Sequence, residues 1–374
     1  MLNRRTIRIK IMQSLFAFEQ CKEADYQLAL DSVEERFLPD LNSMEVQDKA
    51  LLKSQKRIAI QHFELTFKGK EGKVEVEKKI AKAVDDALDL YSNQVKKDQL
   101  FLGKSILAEI QKLTDIYCNV LGLIIALAET AASDKKAIHS NLISQPIVRA
   151  LAENNELIKE LLRSGSWNNQ MDKVREWFRD ILKEDAEYLK FIETKDHAGE
   201  EQKAFAKHLV RKVILANNAI NDYFDEQDIR WAEDKDIIKS LVDKTIKSFK
   251  DGKIELQKVS LDWEDDKSFI EKLFKNTIEL DEQYKELIAN NTKNWEVDRL
   301  PLTDRVILEM AIAEMVHFPN IPVKVTINEY IELAKEYSTP KSRQFINGIL
   351  DVMSKKMKEA GTMKKSGRGL LDNK

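Results

Sequence analysis

Apolar residues recur at helical intervals along almost the whole chain. Near its start Ile7, Ile11, Leu15 and Phe18 form one stripe, which predicts a helix from about Asn3, a possible N-cap, to about Gln20. Far downstream Leu308, Ala311, Ile312 and Met315 mark the buried face of a helix over 302–317, leaving Asp304 and Arg305 outside. Ile327, Tyr330, Ile331 and Ala334 then stand at i, i+3, i+4 and i+7. Phe345, Ile349 and Met353 follow at one-turn spacing, with Asn347 and Gly348 inside the same helix. Between these ends, residues 22–260 read as a long helical region with loop candidates near Pro39, 68–73, 133–146, 165–169 and 195–200.

Cap chemistry sharpens the downstream boundaries. Thr326 with Glu329 fits a capping box, with Val325 and Tyr330 placed as a hydrophobic staple. Thr339 before Pro340 fits an N-cap followed by proline at the first helical position.

Composition agrees with helices. The 374 residues are 43% hydrophobic and 33% charged, enough for a substantial core and for two or three domains' worth of chain. Four of the six prolines lie at or after Pro301, and none occurs in 40–145 or 147–300. Together with abundant Leu, Ala, Glu and Lys, this predicts an all-α protein. A weak internal repeat accompanies it: Phe205, Ile214, Trp231 and Asp234 recur 64 residues on as Phe269, Ile278, Trp295 and Asp298. Coincidence among helical hairpins explains that spacing as well as duplication does.

The net charge of −3 means that any contact with nucleic acid needs a local cationic patch. Residues 1–10 carry Arg4, Arg5, Arg8 and Lys10 with no acid. The segment 353–374 carries seven Lys and Arg against Glu359 and Asp372. On one helix Arg4, Arg5 and Arg8 would form a contiguous surface. Cations are disfavoured at a helix N-terminus by roughly 0.3–1 kcal/mol each, and a bound polyanion would offset that. Arginine suits such a ligand, because its fork grips phosphate and its plane stacks on a base. A solvated or internally paired terminus accounts for the same residues. Lys341 and Arg343, in the first turn of the last long helix, form a second candidate patch where backbone N–H groups also meet phosphate.

Catalytic chemistry finds no support. The five histidines are scattered, the acid pairs Asp85-Asp86 and Asp265-Asp266 sit in charged surroundings, and segment 68–73 lacks phosphate-loop spacing. Cys21 and Cys118 fit no metal pattern, so neither a metal nor a cofactor is expected. No signal segment is visible. The most apolar run, 120–128, is too short to span a bilayer, which leads to the expectation of a cytoplasmic protein without membrane contact.

The segment 319–351, PNIPVKVTINEYIELAKEYSTPKSRQFINGILD, resembles the C-terminal signature of the NusB family in the order IPxKVxINEyIELAK, S, FINGiLD. That family comprises all-helical, RNA-binding transcription antitermination factors. The resemblance extends to long homologues of the Bacteroidetes type through the SGRGL ending at 366–370. It implies a NusB-like helical bundle formed by the first helix, 1–21, and residues 262–360. Residues 22–261 would be a large helical insertion, and 361–374 a basic disordered tail.

The resemblance also implies partners: a boxA-like single-stranded RNA, the small-subunit ribosomal protein NusE, and the elongating RNA polymerase complex. Arg4, Arg5 and Arg8 fall on the family's arginine-rich RNA motif. Phe16 falls on an aromatic position, where it supports a base or packs in the core. Phe345 matches a position on the RNA path and serves equally as a core residue. Lys341 departs from the family, standing where familiar members carry an acid. Asp304, beside Arg305, matches an acidic position at the NusE surface. An alternative is a helical interaction scaffold in ribosome biogenesis that has lost RNA binding. Ribosomal RNA methyltransferases with a NusB-like domain are a poorer match, because no Gly-rich methyl-donor domain or catalytic cysteine is visible here.

Overall fold

The computed structural model describes residues 2–42, 44, 46–69, 76–134, 139–165, 167–194, 199–280, 282–291 and 300–373. Among them are sixteen α-helices and no β-strand. The expected loop residues at 70–73, 135–138, 166 and 195–198, and the repeat residues Trp295 and Asp298, lie outside the described residues.

In chain order the helices begin with α1 (Arg4–Glu35), α2 (Lys49–Phe67) and α3 (Lys78–Ser133). Then come α4 (Ser140–Ser144), α5 (Pro146–Ala152), α6 (Asn155–Ser164), α7 (Met171–Trp177), α8 (Ala186–Glu193) and α9 (Gly199–His208). After α10 (Asn218–Gln227) and α11 (Trp231–Ser248) follow α12 (Trp263–Ile278), α13 (Glu282–Asn291), α14 (Leu302–His317), α15 (Val323–Tyr337) and α16 (Pro340–Glu359). The chain divides into two compact units. One comprises Arg5–Leu107 with Lys267–Lys374, and the other Met1–Arg4 with Ala108–Asp266.

In the first unit α14 is the central helix. Val306 to Met315 is buried almost all round, apart from the partly buried Glu309, because α13, α15 and α16 each pack against it. The stripe read from the sequence, Leu308, Ala311, Ile312 and Met315, is therefore only part of what it buries. Thr339 caps α16 as expected, its hydroxyl accepting from the Ser342 N–H at 3.3 Å with Pro340 next in line.

The capping box at Thr326 does not form. α15 begins a turn earlier, after Pro322, and Thr326 is fully buried inside it. Its hydroxyl donates to Glu314 at 2.9 Å, and Glu329 turns instead to Arg5. Val325 is exposed while Tyr330 is buried, so the staple is absent too.

α1 runs fifteen residues past the Gln20 boundary read from the sequence, because its stripe continues through Asp25, Ala29 and Val33 with no proline or glycine to stop it. This added length builds a second small core. Ala29, Val33 and Phe37 meet Ala59 and Phe63 of α2 and Ile80, Ala83, Val84 and Ala87 of α3. Tyr26, Phe63, Phe67 and Tyr91 close it with ring centroids 4.7–5.9 Å apart.

The C-terminal segment, expected to be disordered, lies against the turn after α14. The Ser366 N–H donates to the Pro319 carbonyl at 3.1 Å, and the Lys365 ammonium to the Phe318 carbonyl at 3.1 Å. A Cβ at position 369 would run into the Pro319 carbonyl oxygen, so only glycine allows this approach.

In the second unit the far half of α3 is the spine. Its apolar run, including Val120, Leu121, Leu123, Ile124 and Leu127, is buried. α3 is long and apolar enough to cross a membrane by length and composition, and its burial is that of a core helix. Gly122 lets α6 approach, since a Cβ there would stand 2.8 Å from Leu161. The Tyr117 hydroxyl ties α3 to α11 through Thr245 at 2.5 Å and accepts from the Gln257 N–H at 3.0 Å. All four first-copy repeat residues, Phe205, Ile214, Trp231 and Asp234, are buried in this unit.

Phe63 is wholly buried at the centre of the small core. Phe63→Ala should destabilise the first unit by roughly 3–5 kcal/mol in chemical denaturation. Hydrogen exchange should show the loss first in 26–91. An unchanged transition would mean that α2 is not held by this contact.

Candidate nucleic-acid interface

The arginines of α1 are held by acids from helices distant in sequence. Arg8 is buried and donates in bidentate fashion to Glu314, Nε to Oε2 at 2.7 Å and Nη2 to Oε1 at 2.8 Å. The same carboxylate accepts from the Thr326 hydroxyl at 2.9 Å and the Tyr330 hydroxyl at 3.1 Å. The Arg8 guanidinium also lies 5.4 Å from the Phe269 ring centroid and 5.8 Å from that of Tyr330. Burial works against the Arg8 charge, but Glu314 outweighs it and holds the guanidinium pKa above its ordinary value. Burial and the Glu314 charge together push the Tyr330 phenol well up.

Arg5 pairs with Glu329 through two bonds of 2.9 and 3.0 Å, and the hydrogen bond from Arg5 holds the Glu329 carboxyl below its usual range. About two fifths of the Arg5 side chain stays exposed. In the second unit Arg4 pairs with Asp265 and lies 3.5 Å from Asp266.

The expectation of three arginines on one open cationic surface is therefore corrected at Arg8, whose guanidinium is inside the protein. The other reading of these residues, an internally paired terminus, is the arrangement found, since all three arginines meet acids. Those acids come from α12, α14 and α15, out of reach of a reading confined to one helix.

Asp304 was expected outside α14 and is instead buried. Its carboxylate accepts from the Ser338 hydroxyl, whose oxygen lies 3.0 Å from the Ser342 hydroxyl and is left to accept from it. Asp304 thus fastens the turn between α15 and α16, where a partner would not reach it. Arg305 remains partly exposed and pairs with Glu19 of α1 at 2.7 Å. Phe16 is exposed to 39%.

Lys341 and Arg343 are exposed in the first turns of α16, and among the described residues neither makes an ion pair. Phe345, one turn on, is half-buried, while Ile346, Ile349, Leu350 and Met353 carry the buried face. The structure thus puts Lys341, Arg343 and Phe345 together at one capped helix start. Among the described residues no group of three or more His, Cys, Asp or Glu is arranged to hold a metal.

Sequence reasoning missed Glu314. It sits within an apolar run, and an acid in such a place calls for a buried cation. Glu309 was missed too. It is partly buried on α14, and burial, against the pull of Arg305, pushes its carboxyl up to about 7.

A carboxyl whose folded pKa is raised stabilises the fold fully below its unfolded value, and that contribution is lost as pH rises through the folded value. Glu309→Gln should therefore be more stable than the parent above pH 7, with the difference gone below about pH 4.5. Thermal denaturation across that range measures it. A difference that does not change with pH would show Glu309 to be solvated.

Comparison with known proteins adds to this geometry. The NusB family model matches residues 234–355, which begins within α11 and thus earlier than the boundary at 262 read from the sequence. A transcription antitermination protein NusB of Chloroherpeton thalassium is 49% identical over 77 residues, covering 21% of this chain and 36% of the relative. One of Salinibacter ruber is 42% identical over 76 residues, 20% of this chain and 48% of the relative. One of Natranaerobius thermophilus is 46% identical over 65 residues, 17% and 47%. The chain thus spans at most about half the length of these relatives. No solved structure matches. The C-terminal region of this all-α chain, residues 234–355, is a NusB-family domain.

Proposed function

We propose that the protein is a transcription antitermination factor that binds a short single-stranded, boxA-like RNA together with NusE and joins the elongating RNA polymerase complex. The observation that carries this reading is the NusB-family domain at 234–355, together with relatives named for transcription antitermination. The mechanism is association. Lys341 and Arg343 offer two open cations in the first turn of α16, and Phe345 is half-open next to them for a base. Arg4 and Arg5 would exchange an acid for a phosphate on binding. Phe16 would lie along the same strand, 11 residues and about three turns beyond Arg5 on α1.

In this reading Arg8 is a positioning residue, which fixes the start of α1 without touching RNA. Asp304 likewise positions the start of α16, and Arg305 is the remaining contact toward NusE. The residues between the first helix and position 234, which lie outside the family match, elaborate the bundle. A second reading, a scaffold without RNA binding, draws on one observation: Arg4, Arg5 and Arg8 already have acidic partners.

Fluorescence anisotropy of a labelled boxA-type RNA, with and without NusE, separates the two. Binding should strengthen with NusE. With about three to five phosphates engaged, log affinity should fall against log salt with a slope of roughly −2 to −3.5. The variant Lys341→Gln/Arg343→Gln should weaken binding and make that slope shallower by about 1.4. No binding by folded protein under any condition would favour the scaffold.

A further inference from the structure

Outside the family-matched region, α2 carries a cationic face that the proposed site does not include. Lys49, Lys53, Lys56 and Arg57 recur at i, i+4, i+7 and i+8, so they share one stripe about 100° wide. No acid lies on α2 between its cap, Asp48, and Glu64. Lys56 is answered by Glu34 of α1 at 2.5 Å. Lys49, Lys53 and Arg57 are exposed, and among the described residues they make no ion pair. α1 met the same electrostatic problem with acids supplied from elsewhere. At α2 that supply stops at one carboxylate.

The stripe also has a shape. Ala50 and Ser54 leave a shallow recess of about 630 Å³ bordered by Lys53, Lys56, Arg57 and Ile60. Small side chains there let a ligand backbone approach the helix. Lys49, Lys53 and Arg57 rise along the axis in steps of about 6 Å, a ladder suited to the evenly spaced phosphates of an extended strand. An anionic membrane surface fits less well. A membrane-binding helix needs a continuous free apolar face, and here Ala59 and Phe63 are buried in the small core with α1 and α3, while the exposed Leu51 stands well over two turns from the part-exposed Leu65 and Phe67.

We propose that the α2 face is a second, sequence-independent binding site for the phosphate backbone of single-stranded RNA. It would hold the strand beyond the segment gripped at α16 and give part of the large elaboration a task. This inference rests on the RNA-binding reading above.

The test uses the full chain and two labelled RNAs, a boxA-type oligonucleotide with a long flank and an unrelated single strand of equal length. The parent is compared with Lys49→Gln/Lys53→Gln/Arg57→Gln, whose exposed positions leave the helix and its packing intact by circular dichroism. The variant should bind both RNAs about tenfold more weakly or worse at moderate salt. Removing three phosphate contacts should also make its salt slope shallower by about 2. Unchanged affinity and slope in the variant, with the parent binding RNA, would overturn this site alone. Failure of the parent to bind either RNA would overturn both readings. Loss of binding confined to vesicles of phosphatidylserine and phosphatidylcholine would make the face a membrane contact and overturn the proposal.

Discussion

The buried pair of Arg8 and Glu314 is the contact on which the C-terminal bundle depends. It joins the first helix of the chain to a helix some three hundred residues later. A buried charge is costly unless its partner and its remaining hydrogen-bonding positions are satisfied. Here two guanidinium N–H groups, the Thr326 hydroxyl and the Tyr330 hydroxyl all converge on one carboxylate. The network therefore fixes α1, α14 and α15 at once, and the aromatic rings of Phe269 and Tyr330 enclose the cation.

Fixing α1 has consequences along its length. Its far half forms the small core with α2 and the start of α3, so the position of the cationic α2 face follows from where α1 is anchored. On the other side α14 holds Asp304, which fastens Ser338 and hence the capped start of α16. The open cations Lys341 and Arg343 therefore sit on a helix end that is doubly constrained, by its own Thr339 cap and by a buried carboxylate beneath the turn. A rigid presentation of this kind lowers the ordering cost of gripping a flexible strand.

Much of the fold was legible because its signals are local. The helical period placed α14, and Thr339 with Pro340 placed the start of α16. What failed were inferences that treated a local pattern as complete. The Thr326 and Glu329 spacing matches a capping box, but both side chains are claimed by partners on other helices. The stripe of Ile7, Ile11, Leu15 and Phe18 stops short of the true end of α1, because its next buried position on that face is the polar Asp25. Arg8 read as surface because arginine usually is, and only Glu314, an acid amid apolar residues, hinted otherwise. The tail at 361–373 has no periodicity, and the contacts that place it, two hydrogen bonds to 318–319 and one close glycine approach, are ones no helix or strand pattern encodes.

A double-mutant cycle on Arg8→Met and Glu314→Met, read by chemical denaturation, tests the central claim most directly. Each single change should cost roughly 3–5 kcal/mol, because it strands a buried charge. The double variant should cost markedly less than the sum, since neither charge is then left alone. Additive losses, or an Arg8→Met protein as stable as the parent, would mean that the pair does not hold the bundle and that Arg8 is available to a ligand after all.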